Sequence, residues 1–222
     1  MMSKAIPFLL ASLAALNALA GVSAAQAQDA AAGEKKAAMC IGCHSIVGYQ
    51  ASFPEVHKVP MIAGQGAKYI VSSLTAYKKG ERKHPTMRGI AASLSDTDMA
   101  DLAAYYEKQN ASIVKPVADA SAVAPSADVA ALLAKGACAS CHGANYNKPI
   151  DPSYPKIAGQ HADYLAVALH AYSVQGNPQV GRGNAIMAGQ VKQFKREELK
   201  AMSKYIASLP GGLSTVPQAR FR

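Results

Sequence analysis

The stretches that decide the fold are Cys40-Ile41-Gly42-Cys43-His44 and Cys138-Ala139-Ser140-Cys141-His142, which together use all 4 cysteines of the chain. On a turn of helix, the two thiols of Cys-x-x-Cys-His can add to the two vinyl groups of a protoporphyrin, while the histidine reaches the iron. This is the attachment motif of c-type haem. The two copies predict two covalently bound haem c groups, held through Cys40, Cys43, Cys138 and Cys141.

Two other uses of paired cysteines fit the chain less well. A four-cysteine zinc site places its Cys-x-x-Cys halves about 15–20 residues apart, whereas these motifs start 98 residues apart and each ends in histidine. A thioredoxin-like redox pair follows a strand in a βαβ unit, but the run from Ala30 to Met39 is rich in Ala, Gly, Glu and Lys and predicts a helix. The pattern therefore favours haem over zinc and over disulfide chemistry.

The N-terminal residues are typical of a secretory signal peptide. Lys4 precedes an uncharged apolar run from Ala5 to Val22, and Ala25-Gln26-Ala27 offers a small-x-small cleavage site. We therefore expect residues 1–27 to be removed and the mature protein to lie in the periplasm. A retained membrane anchor is the alternative, since the apolar run is just long enough to span a bilayer.

The chain is basic, with a formal net charge of +9 that falls to +8 without residues 1–27. Residues 28–120 carry a net charge of +2, and residues 121–222 carry +6. A basic surface can attract nucleic acid, anionic lipid or an acidic protein. An exported haem protein has little access to nucleic acid. We therefore expect an acidic docking surface on a redox partner or a membrane complex, with peripheral association at the inner membrane surface also compatible with this charge.

The two motifs belong to an internal repeat that extends well beyond the cysteines. At an offset of 95, Pro60-Met61-Ile62-Ala63-Gly64-Gln65 recurs as Pro155-Lys156-Ile157-Ala158-Gly159-Gln160. The apolar positions that follow recur at the same offset, as Ile70, Leu74 and Tyr77 and as Leu165, Leu169 and Tyr172. Their i, i+4, i+7 spacing predicts one face of a helix. Each copy is therefore predicted to contain a cysteine-bearing helix, a long loop, a middle helix, a ligand loop and a final helix, with almost no strand.

The repeat predicts how the chain is divided. The expected parts are a signal peptide at 1–27, a first domain at 28–112, a linker at 113–127, a second domain at 128–210 and a C-terminal tail at 211–222. Around the linker, alanine, serine and valine dominate and two prolines favour extended chain. The tail matches nothing in the repeat. Helical domains this small have thin apolar cores, so we expect a porphyrin to supply apolar mass.

Two local signals concern the helices of each copy. Ser95-x-x-Asp98 is a variant capping box that predicts the start of the first domain's last helix. Gly33 and Ala131 both lie seven residues before the first cysteine of their motif. A small residue at that position would let the first and last helices cross closely.

The repeat also selects the second ligand of each iron. The motifs supply His44 and His142, and a methionine or another histidine must complete the coordination. Among the methionines outside the leader and away from Cys40, only Met87 and Met187 fall on each other when the copies are aligned. We predict that these two bind the irons opposite the histidines, and that both lie in loops. His84, three residues before Met87, is the one free histidine considered as a substitute.

A proximal histidine needs its second ring nitrogen hydrogen-bonded, because this bond orients the ring and raises its basicity. Pro60 lies 16 residues after His44, and Pro155 lies 13 residues after His142. Proline rigidifies the turn at that side of the ring. We predict that these proline segments offer a backbone carbonyl to each histidine; a plain turn is the alternative.

On these motifs the chain resembles the class I cytochromes c, with two such domains in tandem. The resemblance covers nearly all of the chain after residue 27. It implies an all-α fold in which two class I cytochrome c domains, related by a pseudo-two-fold axis, each hold one covalent haem c with His/Met ligation. It also implies that the haem propionates meet near the domain interface, where Gln65 and Gln160 are candidates to contact them.

The resemblance implies an electron carrier rather than an enzyme, because two six-coordinate irons leave no open position for a small-molecule substrate. The expected donor is a quinol-oxidising bc1-type complex or a dehydrogenase, and the expected acceptor is a haem-copper terminal oxidase. One alternative is a two-haem enzyme, either a peroxidase or a thiosulfate dehydrogenase, which would need an open or labile iron. The other is a cytochrome subunit held tightly by a flavin dehydrogenase.

Overall fold

The computed structural model describes residues 28–109 and 124–218, and helices dominate both stretches. The first contains α1 (Ala30–Lys36), α2 (Ala38–His44), α3 (Ala67–Lys78), α4 (Pro85–Ala92) and α5 (Asp96–Gln109). The second contains α6 (Ala127–Lys135), α7 (Cys138–His142), α8 (Ala162–Ala171), α9 (Ala185–Val191) and α10 (Arg196–Ser208). The strands of these stretches are two residues long: β1 (Gln50–Ala51), β2 (His57–Lys58), β3 (Arg82–Lys83) and β4 (Gly181–Arg182). The predicted signal peptide, most of the predicted linker and residues 219–222 lie outside the described residues.

Each copy of the repeat builds an apolar core of its own. In the first, Ile70 of α3 and Leu102 of α5 are buried together. In the second, the equivalent Leu165 of α8 and Met202 of α10 are buried together. The all-α fold class with two tandem domains is therefore confirmed. Of the helix positions that the repeat predicted, Ile70 and Leu74 lie in the first core, and Leu165, Leu169 and Tyr172 lie in the second.

Local capping determines where two of the first domain's helices begin. The Asp29 carboxylate accepts hydrogen bonds from the N–H groups of Ala31 and Ala32 at the start of α1. At the start of α5, the Asp98 N–H donates to Ser95 Oγ at 3.1 Å, and the Ser95 N–H donates to Asp98 Oδ2 at 2.9 Å. The predicted capping box is confirmed, because both side chains satisfy backbone donors that the helix leaves open.

The crossing of the first and last helices differs between the domains. A Cβ on Gly33 of α1 would lie 2.1 Å from the carbonyl oxygen of Asp101 in α5. The Lys36 ammonium closes the same crossing by pairing with Asp101 at 2.7 Å and with Asp98 at 2.8 Å. In the second domain, Ala131 of α6 is exposed. The predicted requirement for a small residue is confirmed at Gly33 and wrong at Ala131.

The segments that carry Met87 and Met187 were predicted to be loops, and this prediction is wrong. Met87 lies in α4 and Met187 lies in α9. The start of α4 combines His84 as the capping residue with a proline at the first helical position, where the missing N–H costs nothing. Asn184 caps α9. Both helices are short, so the apolar periodicity that reveals longer helices is weak in them.

The two domains meet through strands as well as side chains. Strand β3 of the first domain pairs antiparallel with β4 of the second, with Arg82 opposite Arg182. The predicted tail also reaches across, because the Ser214 N–H donates to the carbonyl oxygen of Ala63 at 3.1 Å. The strand pairing joins the two copies of the repeat, and the tail joins the second domain to the first, so the domains are connected by more than the linker.

Candidate haem-binding sites and the domain interface

Both cysteine motifs lie on helices, and their four thiols are free. Burial raises the pKa of the Cys40 and Cys138 thiols, so neither is an activated thiolate of the kind that disulfide exchange requires. Within residues 28–109 and 124–218, no group of three or more histidine, cysteine or acidic side chains is arranged to hold a metal ion. The structure therefore gives no support to a zinc site or to a redox disulfide.

The two motif histidines have the same surroundings. His44 Nδ1 lies 2.9 Å from the carbonyl oxygen of Pro60, and His142 Nδ1 lies 3.0 Å from the carbonyl oxygen of Pro155. A carbonyl can only accept, so each Nδ1 carries the proton and each Nε2 is left as the basic nitrogen. Burial lowers the pKa of both histidines, against the opposing effect of the carbonyls. Both imidazoles are thus held neutral, which is the form that binds a metal.

The two methionines also occupy equivalent positions, each in the first turn of a short helix. The Met187 N–H donates to Asn184 Oδ1 at 2.9 Å, and the Met87 N–H donates to His84 Nδ1 at 3.4 Å. His84 also packs edge-on against Phe53. Since His84 Nδ1 serves as a helix cap, that nitrogen is already occupied in this structure. The His84 imidazole nevertheless lies close enough to His44 to act on its pKa.

Two arginines with surrounding tyrosines form the centre of the domain interface. Arg82 Cζ lies 4.6 Å from the ring centroid of Tyr77, and Arg182 Cζ lies 5.4 Å from that of Tyr172. The Tyr164 hydroxyl is 3.1 Å from Arg182 Nη2 and 3.5 Å from Arg82 Nη2. We call these five residues the arginine–tyrosine cluster. Sequence reasoning missed it, although Arg82 and Arg182 are separated by the same offset of 100 as Met87 and Met187.

The arginine–tyrosine cluster has excess positive charge. Among the described residues, neither guanidinium forms an ion pair, and the buried Nε of Arg82 has no hydrogen-bond partner. Burial raises the pKa of Tyr164, but the guanidiniums of Arg182 and Arg82 outweigh it and lower the pKa to about 8. Two adjacent cations with an unused donor constitute a site for anions, and guanidinium groups match carboxylates particularly well.

Two buried glutamines bridge the domains in a reciprocal way. Gln160 Nε2 donates to the carbonyl of Met61, and the Met61 N–H donates to Gln160 Oε1. Gln65 makes the same pair of contacts with Lys156. Equivalent residues of the two copies thus exchange equivalent contacts, as the pseudo-two-fold relation requires. Sequence analysis placed both glutamines at the interface, but it associated them with propionates and not with the opposite backbone.

These residues fit a covalently attached haem in each domain. The thiols are unpaired, each motif histidine has one ring nitrogen left over, and the guanidiniums at the interface lack carboxylate partners. Haem would bring carboxylates and, when bound, would supply an iron that cycles between the ferric and ferrous states. Together these features define the class of protein: a c-type cytochrome with two haem domains.

Comparison with known proteins identifies the family. The sequence profile of the cytochrome c family matches residues 30–109 and 126–210. The chain belongs to the cytochrome c family and, within it, to the cytochromes c4. It is 33% identical to cytochrome c4 of Pseudomonas aeruginosa, over 90% of this chain and 98% of that protein.

Two further comparisons agree with this placement. The crystal structure of reduced recombinant cytochrome c4 from Pseudomonas stutzeri superposes with a TM-score of 0.59 at 29% identity, covering 83% of this chain and all of that one. A protein of Stutzerimonas stutzeri named thiosulfate dehydrogenase electron acceptor is 31% identical, over 93% of this chain and 96% of the relative.

Family membership establishes the cofactor and the general role. The chain binds two covalent haem c groups, through Cys40 and Cys43 and through Cys138 and Cys141. It is a two-haem electron-transfer protein with protein redox partners. Across the part of the chain that the structure describes, no helix combines the length and the apolar character needed to cross a bilayer.

Proposed function

We propose that the chain is a periplasmic relay that takes electrons from a quinol-oxidising bc1-type complex or a dehydrogenase and passes them to a haem-copper terminal oxidase. His44 and Met87 bind one iron, and His142 and Met187 bind the other. The observation that carries the ligand assignment is the equivalence of the two sites. In each, a carbonyl-anchored histidine is matched with a methionine in the first turn of a capped helix.

This ligand set indicates the range of the two reduction potentials. A thioether favours ferrous iron and raises the reduction potential relative to a second histidine. Both irons therefore have high potentials and suit the oxidising end of a respiratory chain. With all axial positions filled by side chains, neither iron offers a position to a small-molecule substrate, so the chain carries electrons and does not catalyse a peroxidase reaction.

The interface supports transfer between the two haems. We assign the haem propionates to the arginine–tyrosine cluster, because carboxylates would compensate Arg82 and Arg182 and would reach the unused Nε of Arg82. Anchoring both cofactors at one cluster keeps their edges at the domain boundary. The chain can then hold two electrons or pass one across itself.

A second candidate concerns the donor. The similarity to a protein named thiosulfate dehydrogenase electron acceptor favours a dehydrogenase of that type as the electron source. The roles of the two domains are the same in this case, and only the docking partner differs. The excess of basic residues after position 121 provides the surface for an acidic partner or for the membrane.

The decisive measurement is an absorption spectrum of the exported protein combined with a redox titration. Mass spectrometry should give a mature chain that starts after residue 27 and carries two haems. The ferric spectrum should contain the weak long-wavelength sulfur-to-iron band, and Met87→Ala or Met187→Ala should each remove about half of it. High-spin ferric iron and peroxide turnover in the unmodified protein would instead favour the enzyme.

The donor is tested by stopped-flow reduction. A bc1-type complex and a purified thiosulfate dehydrogenase would be compared at equal concentration and low ionic strength. The physiological donor should reduce the protein much faster, and its rate should fall as salt screens the basic surface. Equal, salt-independent rates would argue against specific docking by either one.

A further inference from the structure

We propose that each proximal histidine is positioned by the domain that does not contain it: Gln160 of the second domain acts on His44, and Gln65 of the first domain acts on His142. The two glutamines therefore adjust the reduction potential of the opposite haem. This inference rests on the proposed ligation of the irons by His44 and His142, and it does not depend on which residues bind on the other side.

The connection at the first haem runs through a single peptide group. The carbonyl that accepts from His44 Nδ1 belongs to Pro60 and is 2.9 Å away. The N–H of that same peptide group belongs to Met61, and it donates to Gln160 Oε1 at 3.0 Å. The result is a continuous chain of hydrogen bonds from the imidazole, through one peptide, to a side chain of the other domain.

The connection at the second haem has the same form. His142 Nδ1 lies 3.0 Å from the carbonyl oxygen of Pro155, and the N–H of that peptide, which belongs to Lys156, donates to Gln65 Oε1 at 3.0 Å. Because the domains exchange these contacts reciprocally, the peptide group that orients each proximal histidine is itself hydrogen-bonded by the other domain. Each anchor is completed from across the interface.

The orientation of both glutamine amides is fixed. Gln160 Oε1 also accepts from the His161 N–H at 3.0 Å, and its Nε2 donates to the Met61 carbonyl at 2.8 Å. Gln65 Oε1 likewise accepts from Gly66 N–H at 3.0 Å, and its Nε2 donates to the Lys156 carbonyl at 2.9 Å. Both glutamines are only 4% exposed, so solvent does not readily replace the lost bonds when the side chain is changed.

The expected effect on the iron has a definite sign. Hydrogen bonds in a chain polarise one another, so an acceptor on the peptide N–H makes the peptide carbonyl a stronger acceptor for the histidine. A stronger bond at Nδ1 raises the basicity of the imidazole, and a more basic ligand stabilises ferric iron. Removing the glutamine should therefore raise the midpoint potential of the haem in the opposite domain.

The test compares Gln160→Met and Gln65→Met in the intact two-haem protein. Midpoint potentials and the NMR signals of both haems would be measured, with signals assigned through nuclear Overhauser contacts to each domain. Gln160→Met should raise the potential and shift the signals of the haem attached to Cys40 and Cys43. Gln65→Met should do so for the haem attached to Cys138 and Cys141. Each variant predicts by itself an effect on the haem of the opposite domain, so the test remains decisive if one variant fails to fold.

Two further variants distinguish the loss of the glutamine hydrogen bonds from a general weakening of the domain interface. With its carboxyl group protonated, Gln160→Glu keeps both an oxygen acceptor for the Met61 N–H and a donor for the Met61 carbonyl, so it should restore most of the unmodified signals. Arg196→Gln removes the ion pair with Glu55 across the domain boundary without touching either proline segment, and should leave both haems unchanged. The inference is overturned if a glutamine variant shifts its own domain's haem, shifts both equally or shifts neither, or if Arg196→Gln has the same effect. Failure of the His ligation would appear separately, in the unmodified protein's spectrum.

Discussion

The two domains are nearly identical around the candidate iron ligands and different in the helices that support them. The distance from the histidine Nδ1 to the proline carbonyl oxygen is 2.9 Å in the first domain and 3.0 Å in the second. The backbone next to the supporting helices differs between the domains. In the first domain, Ala37 between α1 and α2 has a right-handed backbone conformation, whereas Ala137, the residue that precedes α7 in the second domain, is left-handed, with φ of 45°.

This difference shows which parts of the repeat tolerate divergence. A ligand must reach its iron within a few tenths of an ångström, and therefore its anchor and its cap recur in both copies. The crossing of the first and last helices can be stabilised in more than one way. In the first domain the backbones approach closely and an ion pair forms, whereas in the second domain larger apolar side chains pack between the helices. This contrast can be tested by experiment, and the helix crossing should show the largest effect.

Exchanging the residues at the crossing should affect the domains very unequally. In Gly33→Ala, the new methyl would meet the Asp101 carbonyl oxygen at 2.1 Å, so α1 must move away from α5. We expect a loss of about 3 kcal/mol in the free energy of unfolding, measured by denaturant titration of the holoprotein. Ala131→Gly should cost only the difference in helix propensity, about 1 kcal/mol. A loss at Ala131→Gly as large as that at Gly33→Ala would contradict the contrast, because it would mean that the Ala131 methyl is packed against another part of the second domain.

Acid should loosen the first domain before the second. The Lys36 ammonium and the Asp29 N–H hold the pKa of Asp101 below its usual range. A lowered pKa in the folded state means that the stabilisation is complete at neutral pH and is lost as the pH falls below about 4. Ala201 stands at the equivalent position of the second domain, which lacks this titration.

The measurement is an acid titration followed by the NMR signals of each haem. Signals of the first domain should change at a higher pH than those of the second. Asp101→Asn should lower stability at neutral pH and reduce the acid sensitivity of the first domain, whereas Asp96→Asn, in the exposed first turn of the same helix, should do neither. If the signals of both domains change at the same pH in the unmodified protein, the predicted difference in acid sensitivity is wrong.

The smallest effect concerns the caps of the methionine helices. Asn184→Ala removes the 2.9 Å bond to the Met187 N–H and should cost about 1 kcal/mol. Added imidazole should then displace Met187 from its iron about fivefold more easily. His84→Ala removes a longer bond of 3.4 Å to Met87 and should have a smaller effect. A larger effect of His84→Ala would mean that its packing against Phe53, and not the cap, positions Met87.

The sequence alone was sufficient for the features that repeat. The cysteine motifs, the matched methionines and the proline segments could all be found because each occurs twice, at offsets of 98, 100 and 95 residues. The capping box at Ser95 was readable because it depends on residues only three positions apart. The position of Gly33, seven residues before Cys40, was enough to predict a close helix crossing there, although the same reasoning failed at Ala131.

The features that the sequence did not predict depend on contacts between residues that are far apart in the sequence. Arg82 and Arg182 are ordinary surface residues in sequence terms, and only the pairing of β3 with β4 brings them together. The contacts of Gln65 and Gln160 were not predicted, because a sequence repeat does not reveal how its copies are oriented toward each other. Ala131 was assigned wrongly because equivalence in sequence was taken to mean equivalence in packing.

The C-terminal tail runs past both copies of the proline segment. Gly211 lies directly against Ala158, the Gly212 N–H donates to Asn147 Oδ1 at 2.9 Å, and the Ser214 N–H donates to Ala63. The tail therefore adds a third contact region to the junction between the domains, beside the β3–β4 pairing and the two buried glutamines.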